Sequence, residues 1–429
     1  MSILIKDVDA LTQNSRRDTL RGVDILIEGN RIEKIGKKLK EKAEFKIDGK
    51  GKLAVPGLIN THTHTAMTLF RGYADDMRFW EAWPGKVWPA EKKVKAGDVR
   101  WGAMLGCIEM MRSGTTCFLD NYFFMEETAR AVKDSGIRAN LAYGMIDLDD
   151  PTKRKKELKI GEEFVKEFHG KADGRISCSF SPHAPYTCSG ELLLKAKEFS
   201  QKYGVLTQIH VSETRKEVFD SIKEYGKRPV EYLDSIGFLN NRVVAAHCVW
   251  ITKREVRMLG EKGVKVSYNP VSNMKLASGG VAPIPQMLES RVCVTFGTDG
   301  AVSNNSLSML ETMKVGALLQ KAHLWDARVL SAQQALDFAT RNGASALCVN
   351  AGSIEEGKLA DLFLMNLDSS NMLPANNYVS NIVYSSNPSN VSHSIIDGKL
   401  VMEEGRILTI DEEKVFENVR KIAERLTRN

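Results

Sequence analysis

Hydrophobic and polar positions follow two textures along the chain. Near the N-terminus, short apolar runs at Ile3-Leu4-Ile5, Val23 to Ile27 and Arg31 to Ile35 are separated by turn residues such as Glu28-Gly29-Asn30. That is the punctuation of a small β unit. The texture returns at Ala360 to Met365, at Val391 to Ile396 and, after the turn Asp397-Gly398-Lys399, at Leu400 to Met402. Both ends are expected to build one β-sandwich module, with a helix over Glu412 to Thr427 closing the chain. Between them lie eight apolar runs: Leu53 to Ile59, Thr115 to Leu119, Ile137 to Tyr143, Arg175 to Phe180, Val205 to Ile209, Val243 to Ala246, Val264 to Tyr268 and Val292 to Phe296. Helical stretches such as Asp98 to Met111, Glu191 to Tyr203, Arg254 to Lys262 and Ser306 to Lys321 separate them. Strands alternating with helices predict right-handed βαβ units and a parallel sheet. Eight units fit an α/β fold of the (β/α)8 TIM barrel type, whose active sites lie at the C-terminal ends of the strands; a doubly wound sheet is the alternative. The expected division is a barrel over 54–350 and a module from 1–53 and 351–429, with no internal repeat.

Composition changes this picture little. Hydrophobic residues make up 43% and charged residues 27%, an ordinary globular balance able to bury a core. Lys+Arg 60 against Asp+Glu 54 leaves +6, but the basic residues are dispersed. The one run, Lys153-Arg154-Lys155-Lys156, is too short to imply nucleic acid and reads as a solvated face. Seven cysteines without a C-x-x-C pair argue against a disulfide framework or a zinc ribbon and fit a reducing cytosol. The N-terminus lacks a long apolar segment, and no stretch approaches the roughly 18 apolar residues of a membrane helix. A soluble, cytoplasmic protein with neither membrane nor nucleic-acid partner is expected.

The candidate chemistry lies just beyond the apolar runs. After the first comes Asn60-Thr61-His62-Thr63-His64, where period-two spacing points both imidazoles to one side. After the fifth comes His210, after the sixth His247, and after the eighth Thr298-Asp299-Gly300. An isolated His-x-His pair is weak evidence. In a barrel, however, all five side chains converge on one mouth. His169, His323 and His393 fall in a helix, at a helix end and in the β module, and read as structural.

The stretches Pro-Gly-Leu-Ile-Asn-Thr-His-Thr-His (56 to 64), His-Val-Ser-Glu (210 to 213), Ala-His-Cys (246 to 248) and Gly-Thr-Asp-Gly (297 to 300) resemble the amidohydrolase superfamily over nearly the whole chain. The resemblance implies that His62, His64, His210 and Asp299 bind a divalent metal. Many members hold two metals through a carboxylated lysine at the end of strand four. This chain has Ser181-Pro182-His183 there, so one metal per subunit is favoured. Zn²⁺ suits three imidazoles and a carboxylate, and Fe²⁺ is the alternative. Such an ion can bring the pKa of its water from about 15.7 to about 7, supplying a hydroxide nucleophile. Glu213, three residues past His210, is placed to deliver a proton without being a ligand. Deamination of a purine needs such a glutamate, as in cytidine-type zinc deaminases, whose Pro-Cys-x-x-Cys motif is missing here. His247, with no second metal to bind, is expected to hydrogen-bond the water and, with Asp299, to take its proton.

The resemblance is closer still. Thr61 to Gly72, Trp-Pro-Ala-Glu (88 to 91), Ser-Pro-His-Ala-Pro-Tyr-Thr-Cys-Ser (181 to 189), Asn-Pro-Val-Ser-Asn-Met-Lys-Leu (269 to 276) and Gly297 to Asn305 resemble the 5'-methylthioadenosine/S-adenosylhomocysteine deaminase family, which includes 5'-deoxyadenosine deaminases. This implies hydrolytic deamination of 5'-substituted adenosines to the inosine analogue and ammonia, in salvage of S-adenosylmethionine by-products. Glu91 is implied at the ribose hydroxyls, His183 at the nucleoside and Glu213 and Asp299 at the purine. A homo-oligomer, dimer or tetramer, is implied too. Guanine and triazine aminohydrolases or chlorohydrolases share parts of these motifs and are the alternative. One departure stands out: where some members carry an arginine at the end of strand three, gripping the carboxylate of S-adenosylhomocysteine, this chain has Tyr143, and the following loop offers Lys153 or Arg154. Smaller 5'-substituents are therefore expected to be preferred. The aromatic stretch Phe79 to Trp88 either covers the site, forms a subunit interface or packs on the barrel.

Overall fold

The structure, a computed structural model, describes residues 1–428. Five strands open the chain: β1 (Ser2–Leu11), β2 (Thr19–Glu28), β3 (Arg31–Gly36), β4 (Phe45–Asp48) and β5 (Lys52–Pro56). Eight follow in the middle: β6 (Leu58–Thr63), β7 (Thr115–Tyr122), β8 (Arg138–Met145), β9 (Ile176–Pro182), β10 (Leu206–Val211), β11 (Val243–His247), β12 (Lys265–Tyr268) and β13 (Cys293–Phe296). Four close it: β14 (Leu362–Asn366), β15 (Val391–Ile396), β16 (Lys399–Glu403) and β17 (Arg406–Ile407).

Strands β6 to β13 pair in chain order, each parallel to the next. Helices intervene, among them Ala96–Arg112, Gly190–Tyr203 and Met309–Leu324. The sheet is a nearly closed barrel. At the seam between β13 and β6, Thr61 Oγ1 donates to Phe296 O at 2.9 Å and the Asp299 amide to His62 O at 2.9 Å. The opposite end of the barrel is plugged by Ile59, Cys117, Leu119, Leu206 and Val244 packed on Ala344 and Leu347.

The two chain ends form one mixed sheet of nine strands, in the order β17-β16-β15-β14-β5-β1-β2-β3 with β4 beside β1. Alternation along these strands serves two cores at once, because successive side chains point to opposite faces. Leu53, Val55, Phe363 and Met365 pack into the main core, while Ala54, Leu362 and Leu364 join Ile3, Ile5, Ile25 and Ile27 in a second one. Strand β3 is bridged to Leu359, just before β14, so the sheet curls back over this second core.

The run Leu53 to Ile59 differs from its sequence reading as one barrel strand. It is two strands, β5 in the module sheet and β6 in the barrel. Gly57 makes the break possible, since a Cβ there would collide with the Thr116 side chain. Arg138 at the start of β8 joins Asp361 at 2.8 Å and Asp397 at 2.8 Å in a buried cluster that ties barrel to module. All seven cysteines are free thiols, and among the described residues no helix is long and apolar enough to cross a membrane.

Candidate active site

The residues picked out along the sequence come together at the C-terminal end of the barrel. His62 and His64 lie at the end of β6, His210 at the end of β10, His247 at the end of β11 and Asp299 just past β13. One ligand atom from each of His62, His64 and His210 falls within 4.8 Å of the others, and the same holds for Glu213, His247 and Asp299. Close approach of the last strand to the first depends on Gly297, where a Cβ would lie 2.8 Å from that of His62. Three of the surrounding backbones are left-handed, at Ser212 (φ 52°), His247 (φ 73°) and Asp299 (φ 63°). Such conformations cost energy in non-glycine residues and concentrate where side-chain aim matters.

The hydrogen bonds fix which nitrogen faces the centre. His64 Nδ1 donates to Asn121 O at 2.8 Å and His210 Nδ1 to His183 O at 2.7 Å. Each ring therefore turns an Nε2 lone pair inward, the arrangement typical of metal-binding imidazoles. The two Nε2 atoms face each other at 3.3 Å, and the buried Nε2 of His62 has no hydrogen-bond partner. Three inward lone pairs beside a carboxylate call for a cation. His64 Nε2 lies 3.3 Å and His62 Nε2 3.7 Å from Asp299 Oδ1. Burial opposes both charges, but without an ion Asp299 raises the His64 pKa to about 9, and the hydrogen bond and charge of the ring so protonated at Nε2 hold the Asp299 carboxyl well below the usual range; a bound cation would take the place of that proton. The donor set fits a divalent ion.

The Asp299 carboxylate is anchored on every side. Ser272 Oγ donates to Oδ2 at 2.5 Å, Ser303 Oγ to Oδ2 at 2.8 Å and the Gly300 amide to Oδ1 at 2.7 Å. His247 Nδ1 accepts from the Asn273 side-chain amide at 2.9 Å, so the neutral ring carries its proton on Nε2. Burial brings its pKa down to about 4. Glu213 lies 3.9 Å from that Nε2. Burial, reinforced by Asp299, pushes the Glu213 carboxyl up to about 8. Its backbone is held from outside by Glu217, whose carboxylate accepts from the amides of Ser212 at 2.7 Å and Glu213 at 2.8 Å.

These groups open on a cavity of about 520 Å³ that Glu91 and His183 also line. His183 Nδ1 is hydrogen-bonded with Thr187 Oγ1 at 2.8 Å, and burial with the neighbouring imidazoles brings its pKa down to about 4. Glu91 ends the short helix Trp88–Glu91, and the stretch before it brings Phe79, Trp80, Trp83 and Trp88 to the wall, so the aromatic segment does cover the site. Tyr143 does not reach the cavity; its phenol lies against Glu157. Lys153 and Arg154, expected in a loop, lie in the first turn of the helix Pro151–Phe168; Lys153 lines the wall, whereas Arg154 is turned into an ion-pair cluster with Asp147, Asp149 and Glu191.

Several site residues carried no role in the sequence. Ser272 and Asn273 belong to the Asn-Pro-Val-Ser-Asn stretch, which signalled a family but not a contact. Glu217 follows the pattern of a helix N-terminus, three residues after the Thr214 cap. Tyr122 had no signal beyond its place at the end of a strand.

Comparison with known proteins agrees with this geometry. Residues 53–401 match the amidohydrolase family. The chain is 49% identical over 425 residues to a 5'-deoxyadenosine deaminase of Methanocaldococcus jannaschii, covering 98% of this chain and 99% of that protein. It is 46% identical over 402 residues to a 5-methylthioadenosine/S-adenosylhomocysteine deaminase of Thermococcus sibiricus, covering 94% of each. Among solved structures, an adenosine deaminase from Xanthomonas campestris with bound zinc superposes with a TM-score of 0.93 at 30% identity, covering 99% of this chain and 98% of that one. A parallel barrel with its polar residues gathered at one mouth, matched along most of its length in sequence, makes this chain a member of the amidohydrolase family.

Proposed function

We propose that this chain hydrolytically deaminates 5'-substituted adenosines, chiefly 5'-deoxyadenosine and 5'-methylthioadenosine, to the inosine analogue and ammonia. One divalent ion per subunit is held by His62, His64, His210 and Asp299, with Zn²⁺ favoured over Fe²⁺ on its affinity for imidazole. The observation that carries the reading is a buried carboxyl, Glu213, in the same cavity as the imidazole cluster and as Glu91; the reading leaves it outside the metal's donor set. The names borne by the relatives point the same way.

A bound ion would supply a coordinated water with a pKa near neutrality. The chain's own residues do the rest. Glu213 protonates the ring nitrogen beside the amino-bearing carbon, making that carbon electrophilic. His247 donates a hydrogen bond from Nε2 to the attacking oxygen; because its Nδ1 accepts from Asn273, the ring is a donor here and not the base. Asp299 accepts one proton of the water and passes it to the leaving amine; as the C–N bond breaks, the added hydroxyl gives its proton back to Glu213, so ammonia departs neutral, the carbonyl forms and the acid is restored. Glu91 takes the ribose hydroxyls and His183 the nucleoside. This chemistry is assigned to the barrel, which begins at β6 and runs to about residue 350, with the module built from the two chain ends, β5 included, in support. A cytoplasmic homo-oligomer, dimer or tetramer, belongs to the same reading, supported by exposed Trp80 and Trp88 beside the mouth.

The test is ammonia release by metal-loaded protein across adenosine, 5'-deoxyadenosine, 5'-methylthioadenosine, S-adenosylhomocysteine, guanine and a triazine. Turnover of the nucleosides is expected, and absence of any nucleoside turnover overturns the proposal. Among the described residues the cations on the cavity wall are Lys92 and Lys153, with no arginine to clamp a carboxylate through two bonds. Accordingly kcat/KM for S-adenosylhomocysteine is expected to fall about tenfold below that for 5'-deoxyadenosine, the worth of one charge-assisted hydrogen bond; equal or higher kcat/KM would count against it. Glu91→Ala is expected to damage turnover of nucleosides and to spare any free base. Unimpaired nucleoside turnover by this variant would favour a free-base aminohydrolase instead.

A further inference from the structure

The carboxylate of Glu91 is not free to choose its position. Tyr122, the last residue of β7, is buried, and its Oη donates to Glu91 Oε1 at 2.7 Å. Among the described residues this is the one side-chain hydrogen bond between the cavity-covering segment 79–91 and a barrel strand. The segment is otherwise short on regular structure: a four-residue helix, Phe79–Ala82, a five-residue π turn, Trp83–Val87, and the four-residue helix that ends in Glu91. Each piece is too short to hold a fixed position on its own hydrogen bonds. Glu91 Oε2 takes no hydrogen bond from the described residues, and Glu91 lines the cavity.

The electrostatics favour a permanent bond. Burial, then the charge of Glu91, pushes the Tyr122 phenol well above its ordinary pKa, so it remains a donor at any working pH. Burial alone pushes the Glu91 carboxyl up, and the phenol works against that by favouring the charged form. A carboxylate has room for about four donors, so the phenol on Oε1 leaves capacity for a vicinal diol.

We propose that Tyr122 is a positioning residue for nucleoside recognition: by holding Oε1 of Glu91 it seats the 79–91 segment on the barrel and presents the carboxylate to the ribose hydroxyls. This rests on the reading of Glu91 as the diol acceptor. It makes Tyr122 a determinant of discrimination between sugars with and without those hydroxyls, although the phenol need not touch the substrate.

The experiment compares wild type, Tyr122→Phe and Glu91→Gln, all metal-loaded, on 5'-deoxyadenosine and on its analogue lacking the 2'- and 3'-hydroxyls. For Tyr122→Phe, KM for 5'-deoxyadenosine is expected to rise about tenfold. Its kcat should stay within about threefold, with kcat/KM for the dihydroxyl-free analogue, metal content and melting temperature nearly unchanged. Loss of equal size on both substrates would mean general loosening of the site and would overturn the proposal, as would an unchanged KM. Failure of the underlying reading looks different: wild type then fails to prefer the substrate with hydroxyls, or Glu91→Gln keeps that preference, and the role of Tyr122 falls with it. Normal wild-type preference, lost in Glu91→Gln but kept in Tyr122→Phe, overturns the role of Tyr122 alone.

Discussion

The Glu213→Gln variant is expected to bind its metal normally and to lose turnover, with kcat down about 10³- to 10⁴-fold, the upper range for removal of a general acid. Glutamine has nearly the shape of glutamate, and the Glu213 backbone is fixed from outside through Glu217, so the loop should not move. The variant keeps a polar side chain facing the ring nitrogen but cannot transfer a proton to it. Burial and the neighbouring Asp299 charge push this carboxyl up to about 8 without an ion. A divalent cation nearby pulls it back towards neutrality. The sign follows: the protonated form does the work, so wild-type activity should decline on the alkaline side as Glu213 deprotonates. The residual activity of Glu213→Gln should lack that limb. Metal analysis after dialysis, with kcat against pH, checks both statements. A variant that retains most of its kcat removes Glu213 from the chemistry, and one that loses its metal makes Glu213 a ligand.

Much of this arrangement was legible in the sequence, for definite physical reasons. Each barrel strand is buried on both faces, which writes a short uninterrupted apolar run, and each polar group stands where such a run ends. His62, His64, His210, His247 and Asp299 are legible for that reason. Legibility failed where one run served two sheets: only the Pro56-Gly57 pair in Leu53 to Ile59 marks the hand-over from β5 to β6. The same limit hid β4 and β17, of four and two residues, which are too short to show a period. Contacts made by side chains of distant elements were invisible for another reason. Asn273 on His247 and Tyr122 on Glu91 span 26 and 31 residues, and no local pattern records which neighbour a side chain meets across a barrel mouth. The partner that His247 Nδ1 meets was unreadable on the same ground.

The second large effect concerns Asp299, whose two oxygens have separable duties. Oδ2 receives Ser272 and Ser303, while Oδ1 receives the Gly300 amide and faces the imidazoles of His62 and His64. In Asp299→Asn the carbonyl oxygen can keep the Oδ1 position and the amide nitrogen can meet the serine hydroxyls, which turn to accept. The fold should therefore persist, while the negative charge and the proton-accepting capacity are lost together. Metal occupancy after dialysis against a chelator is expected to drop well below wild type, and kcat to fall about 10³-fold or more. Adding Zn²⁺ in excess separates the two duties. Wild type stripped by chelator should recover fully, because its ligands are intact. Asp299→Asn should refill its site and still not recover kcat, because no carboxylate remains to take the water's proton and return it to the leaving amine. Recovery of kcat on refilling would leave Asp299 as a ligand only, and unchanged metal retention in the variant would leave it as a proton carrier only.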